Sequence, residues 1–261
     1  MSDGSGAERI TAAIDAASGT AICAYIPAGY PTLVRFPSLL RSTIDSADVV
    51  EVGVPFTDPM ADGMTIQRAS QVALENGVSL SWILRLLELE IGGCETPVLL
   101  MGYYNPFLAF GMERLGTALA DAGVSGVIVP DLPYDEADDL LAALSPHGIA
   151  LVQLVTPTTP DTRLARIAAV SQGCVYTVAT TGVTGGETLV SVETLRYLSR
   201  VRAISSLPIL AGFGIRDAAQ IEALAPYVDG VVVGSALIEA IDKGIEPSEF
   251  IGGLRRTGAV L

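Results

Sequence analysis

Eight short runs of apolar residues, most of them rich in β-branched side chains, recur along the chain between glycine, proline and aspartate residues. Such runs are typical of β-strands. They are nearly continuous rather than alternating, which indicates strands covered on both faces, as in a parallel sheet. The predicted strands are Ile22–Ile26, Val49–Val52, Val98–Met101, Val127–Val129, Ile149–Val155, Val175–Val178, Pro208–Ala211 and Val231–Val233.

Between these runs, apolar residues recur three or four positions apart, which predicts amphipathic helices. Several of these stretches begin near Ser or Asp, the residue types that cap helix N-termini. The predicted helices are Thr32–Asp45, Met112–Ala122, Asp135–Leu144, Asp161–Ala169, Ser191–Ser205 and Asp217–Leu224. The long stretch after the second strand has room for two helices, near Thr65–Glu75 and Leu80–Ile91, and another helix near Ala7–Ala17 precedes the first strand.

This alternation predicts an α/β fold, namely a single (β/α)8 TIM barrel with an extra N-terminal helix, in one domain spanning residues 1–261. A doubly wound sheet is the alternative. That fold would place a glycine-rich dinucleotide-binding turn after the first strand. The turn there, Pro27–Pro31, lacks the G-x-G-x-x-G pattern, so the barrel is favoured.

Composition and net charge argue against several classes of partner and of active site. Half of the residues are hydrophobic and the net charge is −14, so neither nucleic acid nor an anionic membrane is an expected partner. No apolar run approaches the ~18 residues of a membrane span, and Met1–Arg9 lacks a signal region, so we predict a cytoplasmic protein. The cysteines, Cys23, Cys94 and Cys174, are far apart and never form a C-x-x-C pair. Cys23 and Cys174 lie in apolar runs and are expected to be small buried side chains in a reducing compartment. The single histidine, His147, argues against a catalytic triad and a multi-histidine site, so no metal is expected.

Candidate chemistry lies after the second strand. Glu51 interrupts an apolar run, and a carboxyl group inside a barrel should have the raised pKa of a general acid–base. A hydrogen-bonded structural glutamate near the barrel rim is the alternative. Asp58 and Asp62 follow on the next loop, although both residues could serve only as turn or capping residues. Carboxylates grouped in one loop of a chain with a single histidine favour carboxylate acid–base chemistry.

Glycine-rich turns follow the last three strands, at 182–186, 212–214 and 234. Glycine lets backbone N–H groups approach an anion, and the helix opened by Gly234–Ala236 adds a favourable dipole. Phosphate sites in barrels lie after strands seven and eight. These turns therefore predict a phosphate site, although barrel turns are often glycine-rich without one.

Aromatic side chains stand at the strand ends and would suit a flat, apolar substrate, although rim packing is the more common role of such residues. They are Tyr25, Tyr103, Tyr104, Tyr176 and Phe213. Together these features predict a barrel without a cofactor that acts on a phosphorylated, partly apolar small molecule. A lyase or an isomerase would fit.

The segment Glu51–Gly63, EVGVPFTDPMADG, resembles the signature of the tryptophan synthase α subunit family. Further similar segments follow in the order of the family: Leu100–Pro106, Val129–Pro133, Gly182–Gly185, Gly212–Ile215 and Gly234–Ala236. The resemblance implies a retro-aldol cleavage of indole-3-glycerol phosphate to indole and glyceraldehyde 3-phosphate, without a cofactor. It also implies a β-subunit partner in an α2β2 complex.

The resemblance assigns roles to individual positions. Glu51 would protonate indole C3 and help deprotonate the glycerol hydroxyl group, while Asp62 would accept a hydrogen bond from the indole N–H group. Thr184 would lie on a mobile loop and Asp58 on the loop that communicates with the β subunit. The implied indole pocket is Tyr25, Leu100, Tyr176 and Phe213, and the implied phosphate site is Gly185, Gly214, Gly234 and Ser235.

The chain departs from the family pattern at Thr57, Met64, Ala179–Thr180 and Tyr30. The first three departures lie in or beside the loops that communicate with the β subunit, so we expect weak activation by that partner. Two other functions remain open. The chain could be a free-standing indole-3-glycerol phosphate lyase, or a weakly active module that mainly activates a β subunit.

Overall fold

The computed structural model describes residues 4–178, 190–212 and 214–255. Eight parallel strands form a closed barrel in chain order, and the last strand pairs with the first. The predicted (β/α)8 architecture is therefore confirmed. The strands are β1 (Ala21–Pro27), β2 (Val49–Gly53), β3 (Val98–Met101), β4 (Gly126–Ile128), β5 (Ala150–Val155), β6 (Val175–Val178), β7 (Ile209–Gly212) and β8 (Gly230–Val233).

The helices follow the predicted alternation with the strands. They are α1 (Gly6–Asp15), α2 (Phe36–Ile44), α3 (Met64–Glu75), α4 (Leu80–Glu90), α5 (Tyr104–Phe110), α6 (Met112–Asp121), α7 (Asp138–Leu144), α8 (Asp161–Val170), α9 (Val192–Ile204), α10 (Ala218–Leu224), α11 (Ser235–Asp242) and α12 (Pro247–Leu254). Among the described residues, none of these helices has the length and apolar character needed to cross a bilayer.

Helix α1 is the predicted extra helix, and it covers the end of the barrel where the strands begin. A capping box starts it: the Ser5 hydroxyl group accepts from the Glu8 backbone N–H group, and the Glu8 carboxylate accepts from that of Ser5. Ile10 and Ile14 are buried in the same apolar cluster as the inward-facing side chains of the strands. The opposite end, formed by the C-terminal ends of the strands, is not covered by α1 and is where active sites of such barrels lie.

Two predicted helices differ from the structure in their first turn. Helix α2 begins at Phe36 rather than Thr32, because Pro37 lacks the N–H group that a helix interior needs and is tolerated in the first turn. The stretch predicted as Asp135–Leu144 is divided into a 3₁₀ turn at Tyr134–Glu136 and helix α7. The structure also adds α5 and α12, which the sequence pattern did not predict.

Side chains along each strand alternate between two apolar layers. Outward-facing residues such as Val50, Val52 and Leu100 pack against the helices. Inward-facing residues such as Val49 and Leu99 fill the barrel interior. This alternation decides which residues of each strand can reach a site inside the barrel.

Candidate active site

Glu51 lies on the inward face of β2 and is fully buried inside the barrel. Its Oε1 atom accepts a hydrogen bond from the Cys23 thiol, with 3.2 Å between Sγ and Oε1. Its Oε2 atom has no hydrogen-bond partner among the described residues. Burial raises the pKa of Glu51 to about 7. The carboxyl group can therefore both donate and accept a proton near neutral pH.

Tyr25 is the neighbour of Glu51 across the β1–β2 pair. Its hydroxyl group lies over Gly53, the last residue of β2, and a Cβ atom at that position would come within 2.1 Å of the hydroxyl oxygen. Glycine is therefore required where the Tyr25 ring crosses β2. Burial, together with the charges of Asp62 and Glu51, raises the pKa of Tyr25 well above its ordinary value. The hydroxyl group of Tyr25 therefore stays protonated, and it lies close enough to Asp62 and Glu51 for their charges to act on it.

Tyr176 on β6 resembles Tyr25 in that its ring lies over a glycine of the next strand. Its ring and hydroxyl group lie against Gly212 on the neighbouring strand, 3.0 Å from the position that a Cβ atom would take. Burial and the charge of Glu51 raise the pKa of Tyr176 well above its ordinary value. Two neutral tyrosine side chains therefore lie near the Glu51 carboxyl group inside the barrel.

Asp62 lies on the loop between β2 and α3. Its Oδ2 atom accepts a hydrogen bond of 3.3 Å from the Tyr103 hydroxyl group, which itself accepts one of 2.8 Å from the Ala61 backbone N–H group. The Tyr103 ring stacks on Phe56, with 5.0 Å between ring centroids. Burial raises the pKa of Asp62 to about 6 and that of Tyr103 to about 12. The Asp62 carboxylate is thus oriented by Tyr103, which follows β3. With a pKa of about 6, Asp62 is mostly ionised at neutral pH.

Leu100 does not belong to this group of residues, so its predicted place in an indole pocket is wrong. It lies on the outward face of β3 and is fully buried in the layer between barrel and helices. Because side chains alternate along a strand, its neighbours Leu99 and Met101 face the interior instead. Met101, at the end of β3, is therefore the interior-facing side chain of this strand that lies nearest the strand ends.

The predicted phosphate site is described only in part. Gly214 follows β7 and has a φ of +66°, a conformation that favours glycine. Gly234 precedes Ser235, the first residue of α11, so the N-terminus of that helix lies just after β8. The structure thus brings these three residues to adjacent strand ends. Gly185, also predicted for the phosphate site, lies outside the described residues, as do Thr184 of the predicted mobile loop and Phe213 of the predicted indole pocket.

The loop that carries Asp62 also has an exposed outer side. Asp58 is exposed and accepts a hydrogen bond of 2.7 Å from the Thr57 hydroxyl group. Met60 and Met64 are 88% and 80% exposed. Two long apolar side chains of this loop are therefore exposed to solvent beside Asp62.

A cavity of about 330 Å³ opens beside this loop, lined in part by Ala61, Leu154 and Val178 and by residues 130–134. A larger groove of about 820 Å³ lies where the strands begin. The charged side chains of that groove include two ion pairs, Arg41 with Glu90 and Arg255 with Asp48, as expected for structural contacts. The described residues contain no group of three or more potential metal ligands.

Two contributors to the site are not predicted by the sequence reasoning: the thiol of Cys23, expected only to be a small buried side chain, and the side chain of Met101. Tyr103 is one of the aromatic side chains expected to suit a flat substrate, but its hydrogen bond to Asp62 is not predicted. Alternation along the strands was the available signal for Met101, because it lies two positions after the inward-facing Leu99. The other two contacts join separate parts of the chain, which a single sequence does not reveal.

Comparisons with known proteins give a consistent result. A family model described as "Tryptophan synthase alpha chain" matches residues 11–251. The tryptophan synthase alpha chain of Roseiflexus sp. (strain RS-1) is 45% identical over 241 residues, which covers 90% of this chain and 91% of that relative. The protein of the same name from Nitratidesulfovibrio vulgaris (strain DP4) is 44% identical over 246 residues, with 94% and 95% covered.

Two of the solved structures that are similar to this chain also carry the tryptophan synthase name. A chain of tryptophan synthase from M. tuberculosis is similar with a TM-score of 0.86 and 36% identity, covering 97% of this chain and 99% of that one. Tryptophan synthase subunit alpha from Legionella pneumophila str. Paris is similar with a TM-score of 0.83 and 32% identity, covering 95% and 94%.

Proposed function

The chain belongs to the tryptophan synthase alpha chain family, and from this premise we propose that Glu51 and Asp62 together carry out its reaction. That reaction is the lyase cleavage of indole-3-glycerol phosphate to indole and glyceraldehyde 3-phosphate in tryptophan biosynthesis. The observation that carries the proposal is the buried Glu51 carboxyl group, whose pKa is about 7 and whose Oε2 atom lacks a partner among the described residues.

Glu51 acts first as an acid. Its proton moves to C3 of the indole ring, which leaves a positive charge shared with the ring nitrogen. The carboxylate formed in this step then takes the proton of the glycerol hydroxyl group next to the ring. As that O–H bond breaks, a C=O bond forms, and the electron pair of the C–C bond returns to the ring. Indole and the aldehyde are released, and Glu51 is protonated again.

Asp62 stabilises the charge that appears on the ring. An ionised carboxylate that accepts a hydrogen bond from the indole N–H group is most favourable when the ring is cationic, so it lowers the barrier rather than merely binding the substrate. The hydrogen bond from Tyr103 gives this carboxylate a fixed direction. The pKa of about 6 keeps it mostly ionised while Glu51 still holds a proton.

The remaining assignments concern binding. We place the indole ring near Tyr25, Tyr176 and Met101, since all three side chains belong to the apolar interior of the barrel. Phe213 is kept in this pocket from the sequence resemblance. The phosphate group is placed on the backbone N–H groups near Gly185, Gly214, Gly234 and Ser235, where glycines and the start of α11 favour an anion.

A tryptophan synthase β subunit is the proposed partner, in an α2β2 complex. Two observations support this: the similarity to a chain of tryptophan synthase from M. tuberculosis, and the exposed Met60 and Met64 beside Asp62 and Asp58. A partner that covers this loop would stabilise the arrangement in which Asp62 is correctly placed. A cytoplasmic location and the lack of nucleic-acid binding remain expectations from composition.

The test is steady-state cleavage of indole-3-glycerol phosphate, measured with increasing amounts of a β subunit. We expect saturable activation near the lower end of about 10- to 100-fold, equivalent to about 1.4–2.8 kcal/mol of coupling. Asp62→Asn should lower kcat at least about 10-fold in the isolated chain, while Asp58→Asn should not. A high rate that the β subunit leaves unchanged would favour the free-standing lyase. Negligible cleavage in the complex would favour the activating module.

A further inference from the structure

Cys23 makes the only side-chain hydrogen bond to Glu51 within the described part of the chain. Both residues are fully buried, and both face the barrel interior from the adjacent strands β1 and β2. Cys23 pairs with Val49 in the register of these strands, so it lies one inward-facing position nearer the start of the barrel than Glu51. The thiol therefore contacts the carboxyl group from the side nearer the N-terminal ends of the strands.

The thiol acts as the donor in this contact. Burial and the charge of Glu51 raise the pKa of Cys23 well above its ordinary value, so sulfur keeps its hydrogen. Because Oε1 of Glu51 accepts this hydrogen, a carboxyl proton on Oε1 would compete with the thiol for the same oxygen. When Glu51 is neutral, its own proton is therefore favoured on Oε2.

From this geometry we propose that Cys23 is a positioning residue: its thiol holds Oε1 of Glu51 and so makes Oε2 the oxygen that exchanges a proton with the substrate. The inference rests on the proposed role of Glu51 as the acid–base. It adds that one rotational state of the carboxyl group is selected before the substrate arrives. Preselection of this kind removes an orientation cost from the chemical step.

Other titratable groups also face Glu51, but none replaces this contact. They are Tyr25 on β1, Cys174 just before β6, and Tyr176 on β6. Within the described residues, no hydrogen bond joins any of them to the Glu51 carboxyl group. Cys174 is the useful comparison, because it is a second fully buried cysteine in the same interior cluster.

The experiment compares Cys23→Ala, Cys23→Ser and Cys174→Ala, using the full chain and indole-3-glycerol phosphate. Cys23→Ala should lower kcat about 5- to 10-fold, the effect of losing one modest hydrogen bond, with little change in KM. Cys23→Ser keeps a donor and should retain kcat within about 2-fold. Cys174→Ala makes the same truncation without breaking a contact to Glu51, so its kcat should stay near the native value.

A pH profile separates positioning from general structural damage. The thiol hydrogen bond lowers the pKa of Glu51, so its removal raises that pKa. The alkaline limb of kcat/KM, where Glu51 loses its proton, should then move to higher pH in Cys23→Ala and not in Cys174→Ala. If the two alanine variants share one kcat and one profile, or if serine fails to restore the rate, the inference is wrong.

The two proposals can fail separately. Normal turnover by Glu51→Gln would overturn the proposed function itself. A chain that needs Glu51 but tolerates Cys23→Ala without loss would overturn only the role of Cys23. Thermal unfolding of each variant checks that the alanine and serine changes are compared in folded protein.

Discussion

Glu51→Gln should stabilise the fold at alkaline pH even though it removes the proposed acid. Burial raises the pKa of Glu51 from 4.5 to about 7, so the folded chain holds this proton more tightly than the unfolded chain does. Stability from this group is therefore fully present below about pH 4.5 and is lost as the pH rises to about 7. At about 1.4 kcal/mol per pH unit, the loss is about 3 kcal/mol above pH 7.

Glutamine has the shape of the protonated carboxyl group and cannot ionise, so the variant escapes this loss. Urea unfolding of both proteins at several pH values between 5 and 8 measures the difference. We expect the variant to gain stability relative to the native chain as the pH rises, approaching about 2–3 kcal/mol at pH 8. Glu75→Gln, an exposed change on α3, is the control. A difference that does not depend on pH would refute the reasoning.

Three further substitutions test the surroundings of the two carboxylates. Tyr103→Phe removes the donor to Asp62, so kcat should fall about 5- to 10-fold, and more at pH 6 than at pH 8, because loss of that bond raises the pKa of Asp62. Gly53→Ala puts a Cβ atom 2.1 Å from the Tyr25 hydroxyl oxygen and should destabilise the fold by about 1–3 kcal/mol, measured by urea unfolding. Gly234→Val should raise KM for the phosphorylated substrate in steady-state kinetics, and inorganic phosphate should inhibit the native chain competitively.

Matched controls exist for the first two of these changes. Tyr104→Phe removes a hydroxyl group from the neighbouring residue. That hydroxyl group makes no hydrogen bond among the described residues, and the bond from the Tyr104 backbone N–H group to Asp131 is kept, so kcat should not change. Gly252→Ala adds a Cβ atom in α12 where nothing lies within 4 Å, so stability should not fall. An equal effect of Tyr103→Phe and Tyr104→Phe would remove Tyr103 from the site. Unchanged stability in Gly53→Ala would show that the Tyr25 ring does not need this glycine.

The barrel could be predicted from the sequence because every strand is a distinct apolar run between turn residues. Helices α5 and α12 were missed for local reasons. Helix α5 has seven residues, begins three residues after β3 and contains Pro106, while α12 contains Gly252 and Gly253. These features weaken the helical pattern, and tertiary packing of Phe107 and Ile251 overrides them.

Of the candidate site, the sequence predicts the two carboxylates, Glu51 and Asp62, because their residue types stand out in their segments. The geometry of the site was not predictable. The resemblance implied Leu100 as a pocket residue, whereas alternation along β3 turns Leu99 and Met101 toward the interior and Leu100 toward the helices. The contacts of Cys23 with Glu51 and of Tyr103 with Asp62 join residues 28 and 41 positions apart. Only the closed barrel brings those residues together.

The most direct test of the account is turnover of indole-3-glycerol phosphate by Glu51→Gln, with folding verified by circular dichroism. Glutamine keeps the size of the side chain and the hydrogen bond from Cys23 but cannot transfer a proton. We expect kcat to fall at least about 100-fold, with KM changed little. A folded variant that cleaves the substrate at a rate near that of the native chain would contradict the assignment of Glu51 as the acid–base.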